Sequence, residues 1–312
     1  MSALLEPVAS STLTKASRRH AGGQHVVLVA NGSASGLGGS REALARARGA
    51  LALWGSQVET HLTQSIGELA EMWPGFQERR VVLLGGDGSL HAAANLPFGP
   101  RELAILPAGR ANNVARALGI PLELTAAAEL ATQGRPRLLD LISATAGRRR
   151  YLAVEGVSVG LHAVARASYR APNSADVVGA IQSAIRAARR FDGVTLCVSS
   201  DGVPELLTLG QLFVANLSLF AFGLQVAPGA RPDDGLLDLV ALPWEGRAQI
   251  VPMVARLRRG THLRRPGART WAAERVRVST RGQSPVIADT TNLGTGLVTL
   301  EVVPGALAVV AP

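Results

Sequence analysis

Five residues carry the first sign of chemistry: Gly85-Gly86-Asp87-Gly88-Ser89, set directly behind the apolar run Val81-Val82-Leu83-Leu84. The run has the length and composition of a buried strand, and Leu90 to Leu96 reads as a helix with Ser89 as its cap. A strand, a glycine turn and a helix start gather free backbone N–H groups at the positive end of a helix dipole, where phosphate binds. Glycine lets the backbone approach the anion with no Cβ in between. Asp87 is the odd member, because a bare carboxylate repels phosphate. Either it holds a cation or takes a proton from a nucleophile, or it only stabilises the turn.

The same pattern recurs at Leu106-Pro107-Ala108-Gly109-Arg110-Ala111-Asn112-Asn113, and Asn31-Gly32-Ser33-Ala34-Ser35-Gly36 forms a third polar glycine loop. Loops that leave the C-terminal ends of neighbouring parallel strands converge on one rim. Three of them would wrap a polyphosphate, with Asn31, Gly32, Ser33, Gly85, Gly86, Gly88, Ser89, Gly109, Arg110 and Asn112 available as nucleotide contacts. The spacing fits neither the P-loop nor the dinucleotide fingerprint. A nucleotide site of another type is expected.

The elements that must position these loops alternate strand and helix. His25–Ala30 reads as a strand, 40–54 as an amphipathic helix, and 64–73 as a second helix closed by Pro74-Gly75. After the Val81 strand and its helix come a strand at 103–106, a helix over 111–118 stopped by Gly119 and Pro121, and a helix over 124–132. Such alternation predicts a Rossmann-like parallel sheet covered on both faces. From Leu138 the texture becomes mainly β, with strands at 138–144, 151–157, 194–198, 206–215, 236–242, 276–279 and 298–303, and helices over 174–190 and 245–258. We therefore expect a tail at 1–22, an α/β nucleotide domain at 23–137 and a β-sandwich at 138–303. The cleft between the halves is the expected active site.

Composition narrows the partners. Hydrophobic residues at 47% with 18% charged describe a globular chain, and no apolar run is long enough to span a bilayer. The single cysteine, Cys197, rules out an internal disulfide, reads as a buried structural thiol and points to the cytoplasm. The formal charge of +9 comes mostly from arginine, in clusters such as Arg148-Arg149-Arg150 and Arg186/Arg189/Arg190. It suits an anionic partner, or it is simply surface charge. Aromatic residues make up only 4%, too few for base stacking, so no nucleic-acid partner is expected. Association into a homodimer is left open.

Taken together, these motifs resemble the diacylglycerol kinase catalytic fold of bacterial lipid kinases and sphingosine kinases, distantly related to NAD kinases. The resemblance runs from about His25 to Pro312. It rests on Gly85–Ser89, on Leu106–Ala115, on Asn216, Ala227-Pro228 and Asp234-Gly235-Leu236-Leu237-Asp238, and on Glu301–Leu307. It implies an ATP- and Mg²⁺-dependent lipid kinase that phosphorylates the hydroxyl of a diacylglycerol-type lipid at an anionic membrane surface, the inner membrane face included. It further implies that 304–312 returns to the first domain. Asp87 and Asp289 would be the catalytic carboxylates, and Asp234 would hold a structural Mg²⁺, unless it only makes an Asp-Asp-Gly turn.

The departures from the family pattern are specific. Arg110 stands where the family has threonine, Asn113 where it usually has aspartate, Glu155 in place of asparagine and His162 in place of aspartate. Gly32 replaces a proline, and the family's Asp-Gly-Glu reads Asp289-Thr290-Thr291. Arg110 could contact phosphate, serve the surface, or fill the pocket. His91 and His162, lacking ligand-spaced partners, are read as structural. The alternatives to the lipid kinase are a binding relative that has lost turnover and a kinase for a soluble alcohol.

Overall fold

The computed structural model describes residues 25–32, 41–76, 79–96, 102–169, 177–221, 223–281 and 284–312. The tail, Ser33 with the rest of its loop, and the start of the 174–190 helix lie outside the described residues. The chain begins with β1 (His25–Asn31), α1 (Arg41–Leu53), β2 (Gln57–Thr63), α2 (Ile66–Met72), β3 (Arg80–Gly85), α3 (Asp87–Ala94), β4 (Glu102–Pro107), α4 (Asn113–Ala117) and α5 (Leu124–Gln133). Strands β2-β1-β3-β4 are parallel neighbours in that order. Alternate residues of β1 and β3 face opposite ways. Val27, Val29, Val81 and Leu83 pack with Leu90 and Val114 on one face, while Val26, Leu28, Val82 and Leu84 meet Ala47, Leu51 and Ala128 on the other. Both faces are therefore dry, which is why these strands read as unbroken apolar runs.

The second half contains β5 (Arg135–Ala146), β6 (Arg149–Ala153), β7 (Gly156–Gly160), α6 (Leu161–Ser168), α7 (Val177–Arg190), β8 (Val194–Ser200), β9 (Val203–Leu209) and β10 (Gln211–Ala215). A small hairpin follows, β11 (Leu219–Phe220) with β12 (Leu224–Gln225), then β13 (Leu237–Leu242), α8 (Ile250–Arg258), β14 (Arg269–Ala273), β15 (Arg275–Ser279), β16 (Pro285–Ala288), β17 (Thr291–Thr295) and β18 (Leu297–Ala311). Strands β14-β13-β10-β7-β16-β17 form one sheet of the sandwich. It packs through Val157, Val159, Leu212, Val214 and Leu237 against Leu196, Val198, Val276, Val278 and Leu300 of the opposing strands. The fold is an α/β domain with a parallel sheet followed by a β-sandwich.

The second layer of the sandwich is continuous with the parallel sheet. Strand β18 pairs with β15 through Leu297–Glu301 and with β5 through Thr299–Val303, shifts register, and then carries Leu307–Ala311 along the first half of β5. Its Ala308 and Val309 lie parallel to Glu102 and Leu103 of β4. At the shift the buried Asp140 carboxylate accepts the N–H groups of Gly305 (2.8 Å) and Gly235 (2.7 Å), tying β5 to β18 and to the turn before β13.

Several expected boundaries are corrected. β2 was not foreseen, because as an edge strand (QVETHLT) it alternates weakly between two helices. The single run expected over 206–215 breaks at Gly210 into β9 and β10, which belong to different sheets. The run 151–157 breaks at Val154-Glu155, and the helix expected from Glu245 starts at Ile250 after a 3-10 turn. Cys197 is half-buried on β8, not buried.

Candidate functional site

The glycine turn after β3 leads into a helix that starts earlier than expected. α3 begins at Asp87 with Gly86 as its cap residue and no side-chain cap bond, so Ser89 lies inside the first turn and does not cap it. A Cβ on Gly85 would sit 2.1 Å from Ser89 Oγ. The turn after β4 packs directly on this one: a Cβ on Gly109 would stand 2.5 Å from Gly86 Cα. The N–H of Ala108 donates to Gly85 O at 2.9 Å, and that of Val114 donates to Asp87 Oδ1 at 2.9 Å. Asp87 thus reaches across to cap the start of α4. Its other oxygen accepts no hydrogen bond among the described residues. At Gly88 nothing lies within 4 Å of a Cβ position, so this face of the turn is open.

A cavity of about 780 Å³ begins at these turns and runs between the two domains. Asn31, Gly85, Gly86, Asp87, Gly88, Ser89, Gly109, Arg110 and Asp289 line it. Other expected site residues fall elsewhere. Gly32 is held by its N–H to Thr63 O (2.7 Å) and does not reach the cavity. Asn112, with a left-handed backbone (φ 47°), closes its amide on the backbone N–H and C=O of Gly109, at 3.0 and 2.9 Å. Its side chain therefore braces the Gly109 turn and does not line this cavity. Asp234 is exposed, accepts the N–H of Leu236 at 3.1 Å, and makes an Asx turn away from the cavity.

At the floor of the cavity, Asp289 accepts three backbone N–H groups: Val154 and Glu155 at 2.9 Å and Gly156 at 3.2 Å. Its own N–H donates to Gly156 O at 2.8 Å. Here the sequence reading missed two residues. His91, one helical turn after Asp87, forms a 2.9 Å ion pair with Glu155 and lies 3.7 Å from Asp289. Burial alone would lower the imidazole's pKa, yet the charges of Asp289, Glu155 and Asp87 together raise it to about 9. Burial pushes Glu155 up, with His91 opposing and Asp87 and Asp289 adding to the push. Glu155 also accepts from Asn113 Nδ2 at 2.8 Å, and Asn113 Oδ1 accepts the N–H of Gly223 at 2.8 Å. Two departures from the family pattern therefore meet: the carboxylate and the amide have changed places. Tyr151 is pushed above the ordinary phenol range, first by burial and then by the charge of Asp289, and its hydroxyl also meets Thr291. One sequence signal was present, the lone acid of the apolar run Leu152-Ala153-Val154-Glu155-Gly156-Val157.

Beyond the floor the lining turns apolar, with Leu161, Phe213, Phe220, Leu242, Trp244, Met253 and Leu257. His162 stands among them against the rings of Phe213 and Phe220, its Nδ1 2.9 Å from Ser158 Oγ. Burial, helped by Arg166, lowers its pKa to about 4, so the ring is neutral at physiological pH. The arrangement can hold a polyphosphate at one end and an apolar body at the other. No three of the described His, Cys, Asp or Glu side chains are arranged to hold a metal by themselves.

Residues 25–144 match the family model described as the diacylglycerol kinase catalytic domain. Residues 155–311 match the YegS C-terminal NAD kinase beta sandwich-like domain. A probable lipid kinase YegS-like of Pseudomonas aeruginosa (strain UCBPP-PA14) is 31% identical over 230 residues, covering 70% of this chain and 72% of that protein. A protein of the same description from Stenotrophomonas maltophilia is 28% identical over 229 residues, 69% of this chain and 72% of its own. A putative diacylglycerol kinase from Bacillus anthracis superposes with a TM-score of 0.74 at 19% identity, covering 95% of this chain and 99% of its own.

Proposed function

The chain belongs to the YegS-like lipid kinase family, and on that premise we propose that it transfers the γ-phosphate of ATP to the hydroxyl of a lipid alcohol of the diacylglycerol type. One observation carries this reading: a single cavity joins the paired glycine turns to an apolar chamber. A polar, hydroxyl-bearing head with a long apolar body suits that lining better than a soluble alcohol does. α8 walls the chamber with Met253, Val254 and Leu257, and its outer side shows Val254 at 42% and Val251 at 77% exposed, with Arg258 and Arg259 at its end. Apolar side chains flanked by arginines suit the surface of a membrane carrying acidic lipids. No helix among the described residues is long and apolar enough to cross a membrane.

The residues fit the groups this reaction needs. The open face at Gly88 and the start of α3 can take phosphate. Mg²⁺ commonly uses one or two carboxylates together with substrate phosphates, and Asp87, whose second oxygen accepts no hydrogen bond among the described residues, lines the cavity. When bound, nucleotide and cation supply the phosphoryl group and the neutralisation of its charge. The chain's own task is positioning. The stacked turns fix the donor end, Asp87 orients what lies between the two ends, and the apolar chamber excludes water from the transfer. Arg110, exposed at the cavity edge, can contact phosphate there.

The test is incubation of pure protein with labelled ATP, Mg²⁺ and mixed lipid vesicles, beside Asp87→Asn. Label should enter lipid, and the variant should lose roughly 100-fold or more of that rate. Tight ATP binding with no transfer to any lipid would overturn the assignment in favour of a binding protein.

A further inference from the structure

Three carboxylates stand at the cavity floor, and their hydrogen bonds separate their tasks. Asp289 is committed to the backbone of residues 154–156 and braces the turn between β6 and β7. Asp87 gives one oxygen to the backbone of α4. Glu155, on the turn that Asp289 braces, is met at both oxygens by side chains alone, His91 and Asn113. A side-chain partner can yield when a new hydroxyl arrives, whereas turn N–H groups cannot leave Asp289 without undoing the turn. A carboxylate has about four acceptor sites, so two such partners leave Glu155 room for a third.

We infer that Glu155 takes the proton from the acceptor hydroxyl, with His91 as the cationic partner that keeps this buried carboxylate charged. The inference rests on the phosphotransferase reading above. As the new O–P bond forms, the acceptor O–H bond breaks and its proton passes to Glu155. The electron pair of the broken P–O bond leaves with the nucleoside diphosphate. The groups facing Glu155 are Asp87 and His91 from α3, Asn113 at the start of α4, Tyr151 from β6, and Asp289 between β16 and β17. Burial and the two acids favour the protonated form, and the imidazolium opposes them. Removing His91 takes away the influence that opposes burial and the two acids, so Glu155 moves further toward its protonated form and higher pH favours the active carboxylate.

The experiment compares wild type with Glu155→Gln, His91→Asn and Asp289→Asn. Labelled phosphate is followed from ATP to vesicle lipid and, as slow hydrolysis, to water, while nucleotide affinity and melting temperature are measured for each protein. Glu155→Gln should lose roughly 100-fold or more in kcat on both acceptors, with nucleotide affinity unchanged within about threefold. His91→Asn should be slow at about pH 7 and regain roughly tenfold by about pH 9, which a purely structural loss would not do. Asp289→Asn should chiefly lower the melting temperature. Retention of transfer by Glu155→Gln, or a His91→Asn defect indifferent to pH, overturns the inference alone. If Glu155→Gln does not fold, the pH response of His91→Asn decides. A wild type that delivers phosphate neither to lipid nor to water overturns the reading and the inference together.

Discussion

His91 shows how much one buried side chain can govern. Its pKa rises from the ordinary 6.5 to about 9, so the folded state holds the proton more tightly than the unfolded chain. The stabilisation this gives is complete below about pH 6.5 and is lost as pH climbs through about 9. Wild type should therefore lose roughly 5 °C of melting temperature between those limits, and His91→Gln should lack this component, as calorimetry across pH can show. Asp87 was legible as a site residue because its glycine neighbours announce it. His91 and Glu155 were not, because their charges find each other only once α3 is laid beside the β6–β7 turn. A histidine four positions after an aspartate on a helix shares its face, and that spacing was the available hint.

At the level of elements, the two glycine turns behave as one part. Gly86 and Gly109 touch through backbone, and Asn112 locks the second turn from behind. Gly109→Ala would place its Cβ 2.8 Å from Asn112 Oδ1 as well as against Gly86, forcing the turns apart. It should cost about 1–3 kcal/mol in denaturant unfolding and weaken ATP binding at least tenfold, read by titration calorimetry. Sequence pattern found β1, β3, β4 and their helices because strands dry on both faces are nearly pure Val, Leu, Ile and Ala. It failed at Gly210, where β9 gives way to β10 in the other sheet with only Gly210 and Gln211 between two apolar stretches. It also missed α6, whose residues Leu161, Ala165 and Arg166 line the cavity. Hydrophobicity alone does not say which layer a strand joins.

Across the whole molecule, Asp140 is the clasp. Asp140→Ala would strip the acceptor from the N–H groups of Gly235 and Gly305 and should cost about 2–4 kcal/mol. Because β5 and β18 run through both halves, the loss should appear as one cooperative transition at a lower temperature, seen by differential scanning calorimetry as a single peak. The chain ending resembled family strands, but its course along β4 depends on a register shift between Val303 and Leu307 that no periodicity encodes. That shared sheet makes the protein a calliper with soldered jaws. A hinged enzyme can squeeze a small guest until the fit is good; this one has a fixed gauge, set by the ladder of hydrogen bonds joining its halves. The width of the cavity between the halves is thereby set in part by backbone pairing and not by side chains alone.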